Sequence, residues 1–233
     1  MKTQRQGGGR AVVRGVISEP GRFKSLTVTG HLAYDGSGLS RGTVTMPDPN
    51  SNDLVKVDMV QDGAKMYMRS SRFGTLPDGR EWLGLDLSLG DDVSSSFPAS
   101  GDAREELELL EQTAGGVDEI GKEDVRGVAT TRYRSEISVS ESANRLREEG
   151  ADTMASAVEE RGGPAQVEAW IDAKGLVRRM RIVQSMPGEE GEGPQTTDMR
   201  IDFFDFGLEP EIDVPDSNEV FDATSLAKEE LDG

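Results

Sequence analysis

Residues 54–71 read LVKVDMVQDGAKMYMRSS, and their order of polar and apolar side chains decides the fold class. In the first part, Val55, Val57 and Met59 alternate with Lys56 and Asp58. Successive side chains of a β-strand point to opposite faces, so an apolar residue at every second position indicates a strand with one buried side. This part therefore predicts a strand whose apolar side packs against other apolar groups.

The second part of the stretch predicts a partner for that strand. Asp62 and Gly63 follow the first run, and Met66 and Met68 then recur with the same period of two. An Asp-Gly pair between two alternating runs is a strong signal of a tight turn between antiparallel strands. We therefore expect a hairpin in which the apolar sides of the two strands meet.

The same period of two continues through most of the chain. Further strands are predicted at residues 24–35, 43–46, 81–87, 166–172, 176–186 and 196–207, and residues 117–139 are interpreted as two strands joined near Glu123-Asp124. Two helices are predicted between them, at 101–114 and at about 141–160, the second beginning at Ser140 or Ser142. Strands joined by short turns favour antiparallel pairing. The predicted class is α+β: one large curved antiparallel sheet with the helices packed on its concave face.

Length and composition restrict the organisation and the partners. The 233 residues favour a single domain at 11–226, between a flexible segment at 1–10 and a polar tail at 227–233. A formal net charge of −18 repels phosphate backbones, so no nucleic-acid partner is expected. It also repels an anionic membrane surface unless a lipid anchor or a basic patch holds the chain there. The sequence as given shows no signal peptide and no apolar run long enough to span a membrane.

Metal and cofactor chemistry is restricted by the same composition. The chain has no cysteine and one histidine, which excludes thiolate catalysis, iron–sulfur clusters and a histidine-rich metal site. The segment DPNSND at 48–53 resembles the start of a calcium loop, but Asp53 replaces the glycine and Met59 the glutamate that such a loop needs. We therefore predict no metal and no cofactor.

The segment GLSRG, residues 38–42, matches G-x-S-x-G, the pattern that carries the nucleophilic serine of α/β-hydrolases. That role needs a strand before the serine, a helix after it and a histidine later in the chain. Here a strand is predicted on each side, and the single histidine, His31, precedes Ser40. We interpret the segment as a hairpin connection, expect His31 on the exposed side of its strand, and predict no catalytic residue and no enzymatic activity.

Arg178, Arg179 and Arg181 form a basic cluster in an acidic chain, and two interpretations stay open. The cluster lies on a solvated strand face and makes cross-strand ion pairs with Glu168 or Asp172, as opposite charges on neighbouring strands do. Alternatively, it anchors an anionic head group.

Methionines supply the candidate ligand site. The methionines of interest lie on predicted strands: Met46, Met59, Met66, Met68, Met180 and Met199. Methionine fills irregular space and suits adaptable apolar surfaces, so a plain core and a deformable cavity both fit. A hydrophobic content of 34% is low for this length and favours a shallow apolar cavity. The candidate cavity residues share the apolar strand sides or the stripe of the first helix: Val55, Val57, Met59, Met66, Met68, Leu83, Leu85, Leu107 and Leu110.

Three runs also resemble a known family. They are GKEDVRGVATTRYRSEI at 121–137, VEAWIDAKGLVRRMRI at 167–182, and DMRIDFFDFGLEPEI at 198–212 with EVFDAT at 219–224 after it. In order and spacing they resemble the actinobacterial LppX/LprG-type lipoproteins of the LolA-like superfamily, and the resemblance covers most of residues 24–224. It implies a half-open antiparallel barrel with helices in its concave face and an apolar cavity between them. It also implies an extracytoplasmic location in the cell envelope. Attachment would be through a lipid-modified cysteine that this chain lacks.

The expected function follows from that cavity. We expect a non-enzymatic binding or carrier protein for the acyl chains of lipids or glycolipids, or for a lipidated protein. The alternative is an envelope sensor or scaffold domain that uses the same fold to bind a protein partner, without lipid transport. Leu107 and Leu110 on the predicted helix would close the cavity in the first case.

Overall fold

The structure, a computed structural model, describes residues 7–19, 23–48, 53–86, 116–148, 155–156, 159, 162–187 and 193–224. Twelve strands make up most of it: β1 (Gly8–Glu19), β2 (Phe23–Tyr34), β3 (Leu39–Pro47), β4 (Leu54–Asp62), β5 (Lys65–Arg69), β6 (Trp82–Asp86), β7 (Val117–Val125), β8 (Val128–Ile137), β9 (Ala165–Asp172), β10 (Val177–Met186), β11 (Gln195–Leu208) and β12 (Val220–Asp222). One described helix, α1, spans Val139–Glu148, and two short 3₁₀ turns lie at Ser71–Phe73 and Pro77–Gly79.

The strands join one open sheet in the order β12-β6-β5-β4-β3-β2-β1-β11-β10-β9-β8-β7. Neighbours in sequence are neighbours in the sheet almost throughout, as expected for strands connected by short turns. β12 runs parallel to β6, whereas the hairpin pairs around it are antiparallel. The prediction of a large sheet with few helices is confirmed. The packing of helices on a concave face stays a prediction, and the first predicted helix, 101–114, lies outside the described residues.

The chain divides into two compact units. The first contains Ala11–Thr29 and Gly101–Phe204, with Met1–Arg5, and the second contains Gln6–Arg10, Gly30–Ser100 and Asp205–Gly233. In the second unit, β3 to β6 and β12 follow one another in the sheet order. In the first unit, β7 to β10 do so with most of β11. The single domain at 11–226 stays a prediction, and β1 begins at Gly8, inside the segment predicted to be flexible.

The hairpin of residues 54–71 forms as predicted. β4 and β5 pair antiparallel, with Met59 opposite Met68 and Asp62 opposite Lys65. The turn between them places Gly63 at φ 56°, a left-handed conformation that glycine adopts without steric penalty. The two turn residues are Gly63 and Ala64, one position later than the predicted Asp62-Gly63, so the Asp-Gly signal gave the existence of the hairpin and not its register.

Other chain reversals differ from the predictions. The turn after β2 uses residues 35–38, so Leu39–Gly42 of the GLSRG segment already belong to β3. β7 and β8 are joined at Arg126-Gly127 and not near Glu123-Asp124. Both turn residues have positive φ, 52° and 78°, which makes a type I′ hairpin turn. Glycine at the second position permits that conformation, and this signal is weaker than Asp-Gly.

The cap of α1 also lies earlier than predicted. The Ser138 hydroxyl accepts a hydrogen bond from the Glu141 backbone N–H at 3.1 Å and donates to Glu141 Oε2 at 2.7 Å. The Glu141 carboxylate in turn accepts from the Ser138 N–H, which completes a capping box. Ser138 is therefore the N-cap that precedes Val139, the first residue of α1, and neither Ser140 nor Ser142 is the cap.

Charged side chains pair across the strands on one face of the first unit. Glu168 of β9 is 1% exposed and accepts hydrogen bonds at 2.7 Å from Arg132 and Arg134 of β8. Burial raises the pKa of Glu168, but the hydrogen bonds from the two arginines lower it more, so the pKa lies below its ordinary value. Arg181 of β10 lies 3.7 Å from the same carboxylate. Glu168 thus joins three strands through its two oxygens.

The arginine cluster on β10 is neutralised in the same way. Arg178 pairs with Asp172 at 2.7 Å, Arg179 with Asp202 at 2.6 Å, and Arg181 with Asp198 at 2.7 Å. The interpretation as cross-strand ion pairs is therefore confirmed for Arg178 with Asp172 and for Arg181 with Glu168. Because carboxylates already occupy these guanidinium groups, the alternative of an anionic head-group anchor loses its support.

Asp202 makes the stability of the first unit depend on pH. Burial raises the pKa of Asp202, but the hydrogen bonds from Arg200 and Arg179 lower it by a larger amount, so that it falls to about 2. A carboxyl group whose pKa is lower in the folded state stabilises the fold above its ordinary pKa, and the effect is lost as the pH falls through the folded value. The difference between 3.8 and about 2 corresponds to about 2 kcal/mol.

We therefore predict that Asp202→Asn lowers the free energy of unfolding by about 2 kcal/mol at pH 7. The variant should also lose part of the fall in stability between about pH 4 and pH 2, because the titrating group is gone. Urea unfolding followed by tryptophan fluorescence at several pH values measures both effects. Asp213→Asn, at an exposed carboxylate, serves as the control. An unchanged acid slope in Asp202→Asn would contradict the assignment.

Candidate functional site

The strand register of the second unit brings the predicted cavity residues together. Met59 of β4 lies opposite Met68 of β5, and Met68 lies opposite Leu83 of β6. Met66 lies opposite Leu85 in the next row. Residues directly opposite each other project from the same face of a sheet. These five side chains therefore form two adjacent rows on one face.

Valines extend the same face along β4. Val57 lies opposite Val44 of β3, and Val55 lies opposite Met46. Together with the two rows, these residues form what we call the methionine face: Val44, Met46, Val55, Val57, Met59, Met66, Met68, Leu83 and Leu85. Seven of the nine predicted cavity residues lie on it, and the other two, Leu107 and Leu110, lie outside the described residues.

The methionine face is only partly covered. Val55 and Val57 are buried at 8% exposure, whereas its other members are half-buried. Apolar side chains in a fully packed core have a smaller exposed fraction than these half-buried residues. Val60 of β4, on the opposite face, is 1% exposed. Along these four strands the face carries no charged residue, and its polar members are Ser40 and Gln61, which lie opposite each other. The arrangement is an apolar surface with a neutral polar border.

Glycines let β2 approach this face closely. A Cβ atom built on Gly42 of β3 would lie 2.2 Å from Leu32 Cδ2 and 2.4 Å from the His31 carbonyl oxygen. A Cβ on Gly30 would lie 3.0 Å from Val44 Cγ2. The Leu32 side chain therefore lies over the bare backbone of Gly42, which continues the row of Met59, Met68 and Leu83 toward β2.

The opposite face of the second unit is occupied by its own chain. Thr43 donates to Asp58 at 2.8 Å, Arg69 donates to Asp58 at 3.3 Å and to Glu81 at 3.2 Å, and the Arg69 guanidinium lies 4.6 Å from the Trp82 ring centre. The connection between β5 and β6 is held here as well, because the Ser70 hydroxyl donates to the Lys56 carbonyl at 2.7 Å. Leu76, Val60 and Trp82 are buried on this side. Much of this face is thus paired or buried by its own chain, whereas most of the methionine face is half-buried.

Met180 of the first unit belongs to a core, whereas Met186 and Met199 are half-buried. Met180 of β10 is 5% exposed and lies opposite Ala169 and Ile201. Met180 thus fills a core, whereas Met59, Met66 and Met68 lie on a half-buried face, and a deformable cavity there stays a prediction.

The residues of the hydrolase-like pattern are not arranged for catalysis. Ser40 lies inside β3 opposite Gln61, and not on a turn between a strand and a helix. His31 is exposed on β2, as predicted. Gly42, the last residue of the pattern, is required by the close approach of Leu32. The segment thus has a structural explanation that does not involve a nucleophile.

In the described part of the chain, no three His, Asp or Glu side chains converge as a metal site would require. None of the described helices has the length and apolar character needed to cross a bilayer. Of the calcium-like segment 48–53, residues 49–52 lie outside the described ranges.

Solved structures similar to this chain include two mycobacterial proteins, LprF and the lipoprotein LppX. LprF from Mycobacterium bovis has a TM-score of 0.38 at 13% identity, with 89% of this chain and 90% of that chain covered. LppX from Mycobacterium tuberculosis has a TM-score of 0.37 at 15% identity, covering 88% and 89%. A LolA superfamily protein from Nitrosomonas europaea has a TM-score of 0.32 at 9% identity, covering 91% and 89%.

The solved structures similar to this chain thus include LolA-like and LppX-type proteins. The resemblance inferred from the sequence is confirmed to that extent. No protein-family profile matches the chain, and no curated protein matches it. The function is therefore argued from the residues themselves.

The close approach at Gly42 makes a prediction about stability. In an ordinary strand position, replacing glycine by alanine stabilises a protein by ~0.4–1 kcal/mol, because the unfolded chain loses freedom. At Gly42 the new methyl group would meet the His31 carbonyl, a backbone atom that cannot rotate away. We expect Gly42→Ala to lower the free energy of unfolding by ~1–3 kcal/mol, as overpacking does.

Thermal and urea unfolding measure this effect. Adding Leu32→Ala should restore only part of the loss, since the clash with the His31 carbonyl remains. Ser40→Ala on the same strand is the matched control and should change the free energy of unfolding by less than ~0.5 kcal/mol. A Gly42→Ala variant as stable as the unchanged protein would refute the close packing of β2 on β3.

Proposed function

We propose that the methionine face binds the acyl chains of a lipid or glycolipid, or those of a lipidated protein, and that the protein acts as a non-enzymatic binding or carrier protein. The observation that carries the proposal is the coincidence of three properties on one sheet face. The face is continuous over β3 to β6, it is only half-buried, and its described members include no charged residue. Larger exposed apolar surfaces on proteins commonly mark interaction sites.

Partition of hydrocarbon supplies the driving force. Each buried methylene contributes ~0.8 kcal/mol, so a chain that buries about ten of them gains ~8 kcal/mol before the loss of motional freedom is subtracted. Binding needs no positioned catalytic group, which agrees with the structural explanation of Ser40. The energy scales with the length of chain buried and depends little on its direction.

The side chains on the face suit flexible ligands. Met59, Met66 and Met68 are unbranched and polarisable, so they adapt to chains of different shape. Val55 and Val57 are β-branched, hold one rotamer and form the firm, buried part of the surface. The combination gives a rigid base on β4 with an adaptable strip beside it, and this supports acyl chains over a rigid ring system as the ligand.

The border of the face fits the polar end of such a ligand. Ser40 and Gln61 lie side by side at the end of the β3–β4 pair that adjoins the β4–β5 turn at Gly63, in the row of Met66 and Leu85. Gln61 Nε2 donates to the Gly63 carbonyl at 3.1 Å, which holds its amide at the edge. Neutral polar groups there allow a head group to remain in water while the chain lies along the methionines. The proposal therefore places the head group near Ser40.

The location belongs to the same proposal. The family resemblance stated for residues 24–224 supports an extracytoplasmic protein of the cell envelope. Fractionation of cells that produce the complete gene product, with an antibody against this chain, tests the location independently of ligand binding. A protein found only in the cytoplasm would contradict it.

Met66→Arg tests the ligand site. A guanidinium on the face, in the row of Gln61 and Leu85, must be desolvated when an acyl chain covers it, so we expect at least a tenfold loss of lipid binding. The probes are palmitic acid and dipalmitoyl phosphatidylethanolamine, added from detergent and then detected as adducts by native mass spectrometry. Leu54→Arg is the matched control, because Leu54 is 70% exposed on the opposite side of β4 and gains the same charge.

Two outcomes would overturn the proposal. One is equal adduct formation in the Met66→Arg, Leu54→Arg and unchanged proteins. The other is no adduct with either probe in the unchanged protein, which would favour the alternative of a sensor or scaffold domain for a protein partner. Circular dichroism of each variant separates loss of binding from loss of fold.

A further inference from the structure

β7 forms one end of the strand order and pairs with β8 alone. Its residues from Asp118 to Asp124 are all exposed, and only Val125 beside the turn is buried. The strand at the other end of the order, β12, has three residues. β7, with nine residues, is therefore the end strand long enough to pair with another chain.

The turn after β7 determines which of its backbone groups are free. In a hairpin with a two-residue type I′ turn, the residues that flank the turn form a hydrogen-bonded pair, here Val125 and Val128. Hydrogen-bonded and open positions alternate along an antiparallel strand, so Glu123 also faces β8. Lys122 and Asp124 therefore direct their N–H and C=O groups to the open edge.

The charges on β7 differ from those on the strands behind it. Glu168, Asp172, Asp198 and Asp202 each have an arginine partner within 2.9 Å. Glu123 of β7 is engaged as well, because it accepts the Trp170 indole N–H at 2.9 Å. Among the described residues, Asp118, Glu119 and Asp124 have no ion-pair partner. Lys122 is the one cation on this strand, so its edge is left with uncompensated negative charge.

A pocket adjoins this edge, and the carboxylate residues Glu123 and Asp172 are among those that line it. Its volume is about 480 Å³, and its lining includes Lys122 and Asp124 of β7, Thr131 and Tyr133 of β8, and Ile171 of β9. Lys122, Thr131 and Ile171 are register partners, which places them in one row. Ile171 and the Tyr133 ring offer an apolar floor, and Asp124 offers a carboxylate at the rim. Such a pocket suits lysine or arginine, whose stem is apolar and whose head is cationic.

We propose that β7 is a docking edge for an extended, cationic protein segment, which adds to the sheet as a further antiparallel or parallel strand. Backbone hydrogen bonds to Lys122 and Asp124 provide the strand pairing, and basic side chains of the segment meet Asp118, Glu119 and Asp124. Strand addition of this kind takes affinity from main-chain bonds and specificity from alternate side chains. The acyl-chain face plays no part in this second interaction.

Two features select this partner over others. A second copy of the chain would bring the same acidic edge against this one, and like charges directly opposite each other destabilise a strand pair. A bulge at Ile120, between Glu119 and Gly121, interrupts the regular edge. Regular pairing is thereby confined to Gly121–Val125, where few backbone bonds form, so charge attraction to a cationic segment has to add to them. An uncharged strand of the same length would gain only the few backbone bonds.

The test uses a synthetic peptide, acetyl-Val-Lys-Thr-Lys-Val-Lys-Thr-amide, and its counterpart with glutamate in place of lysine. Isothermal titration calorimetry with the full chain should show binding of the lysine peptide that weakens as salt is raised, and at least about tenfold weaker binding of the glutamate peptide. Amide hydrogen exchange should slow at Lys122 and Asp124 on binding, because their N–H groups gain partners. The Glu123 amide, which already faces β8, should change little.

The variant for the test neutralises the edge with near-isosteric residues: Asp118→Asn, Glu119→Gln and Asp124→Asn together. We expect about a tenfold loss of affinity for the lysine peptide. The matched control changes the net charge equally at exposed residues elsewhere: Glu209→Gln, Glu211→Gln and Asp213→Asn. It should bind within about twofold of the unchanged protein, as should Met66→Arg.

Four results would overturn the proposal. They are equal loss in the edge variant and the control, equal binding of the two peptides, unchanged exchange at Lys122 and Asp124 in the complex, and self-association of the free chain through this edge in sedimentation experiments. N-methylation of alternate peptide amides separates strand pairing from simple charge attraction. There are two sets of alternate amides, and methylating the set that faces β7 must abolish binding. Equal binding of the two methylated peptides also counts against strand addition.

Discussion

Each strand must supply two faces at once, because successive side chains point to opposite sides of the sheet. β9 shows how strict this constraint is. Val167, Ala169 and Ile171 point to one side and Glu168, Trp170 and Asp172 to the other, and all six are buried. A strand that is covered on both sides can carry charges only if the protein neutralises them. The ion pairs of the first unit follow from that requirement.

Glu168 is the clearest example. An unpaired buried carboxylate is strongly unfavourable, and the arginines of β8 and β10 remove the penalty through hydrogen bonds and charge. Trp170 adds to the same network, with the guanidinium groups of Arg132 and Arg179 at 4.9 and 5.5 Å from its ring centre. A one-residue slip of β9 would turn Glu168 to the apolar side and break every one of these contacts. The network therefore fixes the register of β8, β9 and β10 more firmly than it adds net stability.

The sequence predicted well whatever depends on neighbours along the chain. The hairpin of β4 and β5 formed as predicted, with its turn one position later, since the Asp-Gly pair and the alternation of Met59 and Met68 indicate it locally. The pairing of Arg181 with Glu168 was predictable for the same reason, because β9 and β10 are joined by a short turn. The turn at Arg126-Gly127 was misplaced because an acidic pair two residues earlier resembled a turn more closely than Arg-Gly does. Ser138 was missed as a cap because Ser140 and Ser142 offer the same side chain nearby.

Long-range pairings could not be predicted in this way. β12 lies parallel to β6, and its three residues sit in a polar stretch with no alternation to reveal them. The pairing of Arg179 with Asp202 depends on the register between β10 and β11, which are separated by an acidic glycine-rich segment with no turn signal. The close contact of Leu32 with Gly42 needs the backbone of β3 in place before the missing Cβ has any meaning. For the candidate ligand face, alternation gave the residues, but only the register showed that they adjoin.

The methionine face and the edge of β7 each lack something that the interior strands of the sheet have. On the interior strands, carboxylates form ion pairs with arginines, and buried apolar residues pack against one another. Their charges are paired and their apolar surface is covered. The methionine face departs from that standard in apolar coverage, and the edge of β7 departs from it in charge and in backbone hydrogen bonds. The two surfaces therefore bind different partners. A hydrocarbon chain cannot neutralise Asp124 on β7, and a cationic strand gains no binding energy from contact with Met66. A protein with both features can hold an apolar ligand and a protein partner by independent forces, and salt will weaken only the second.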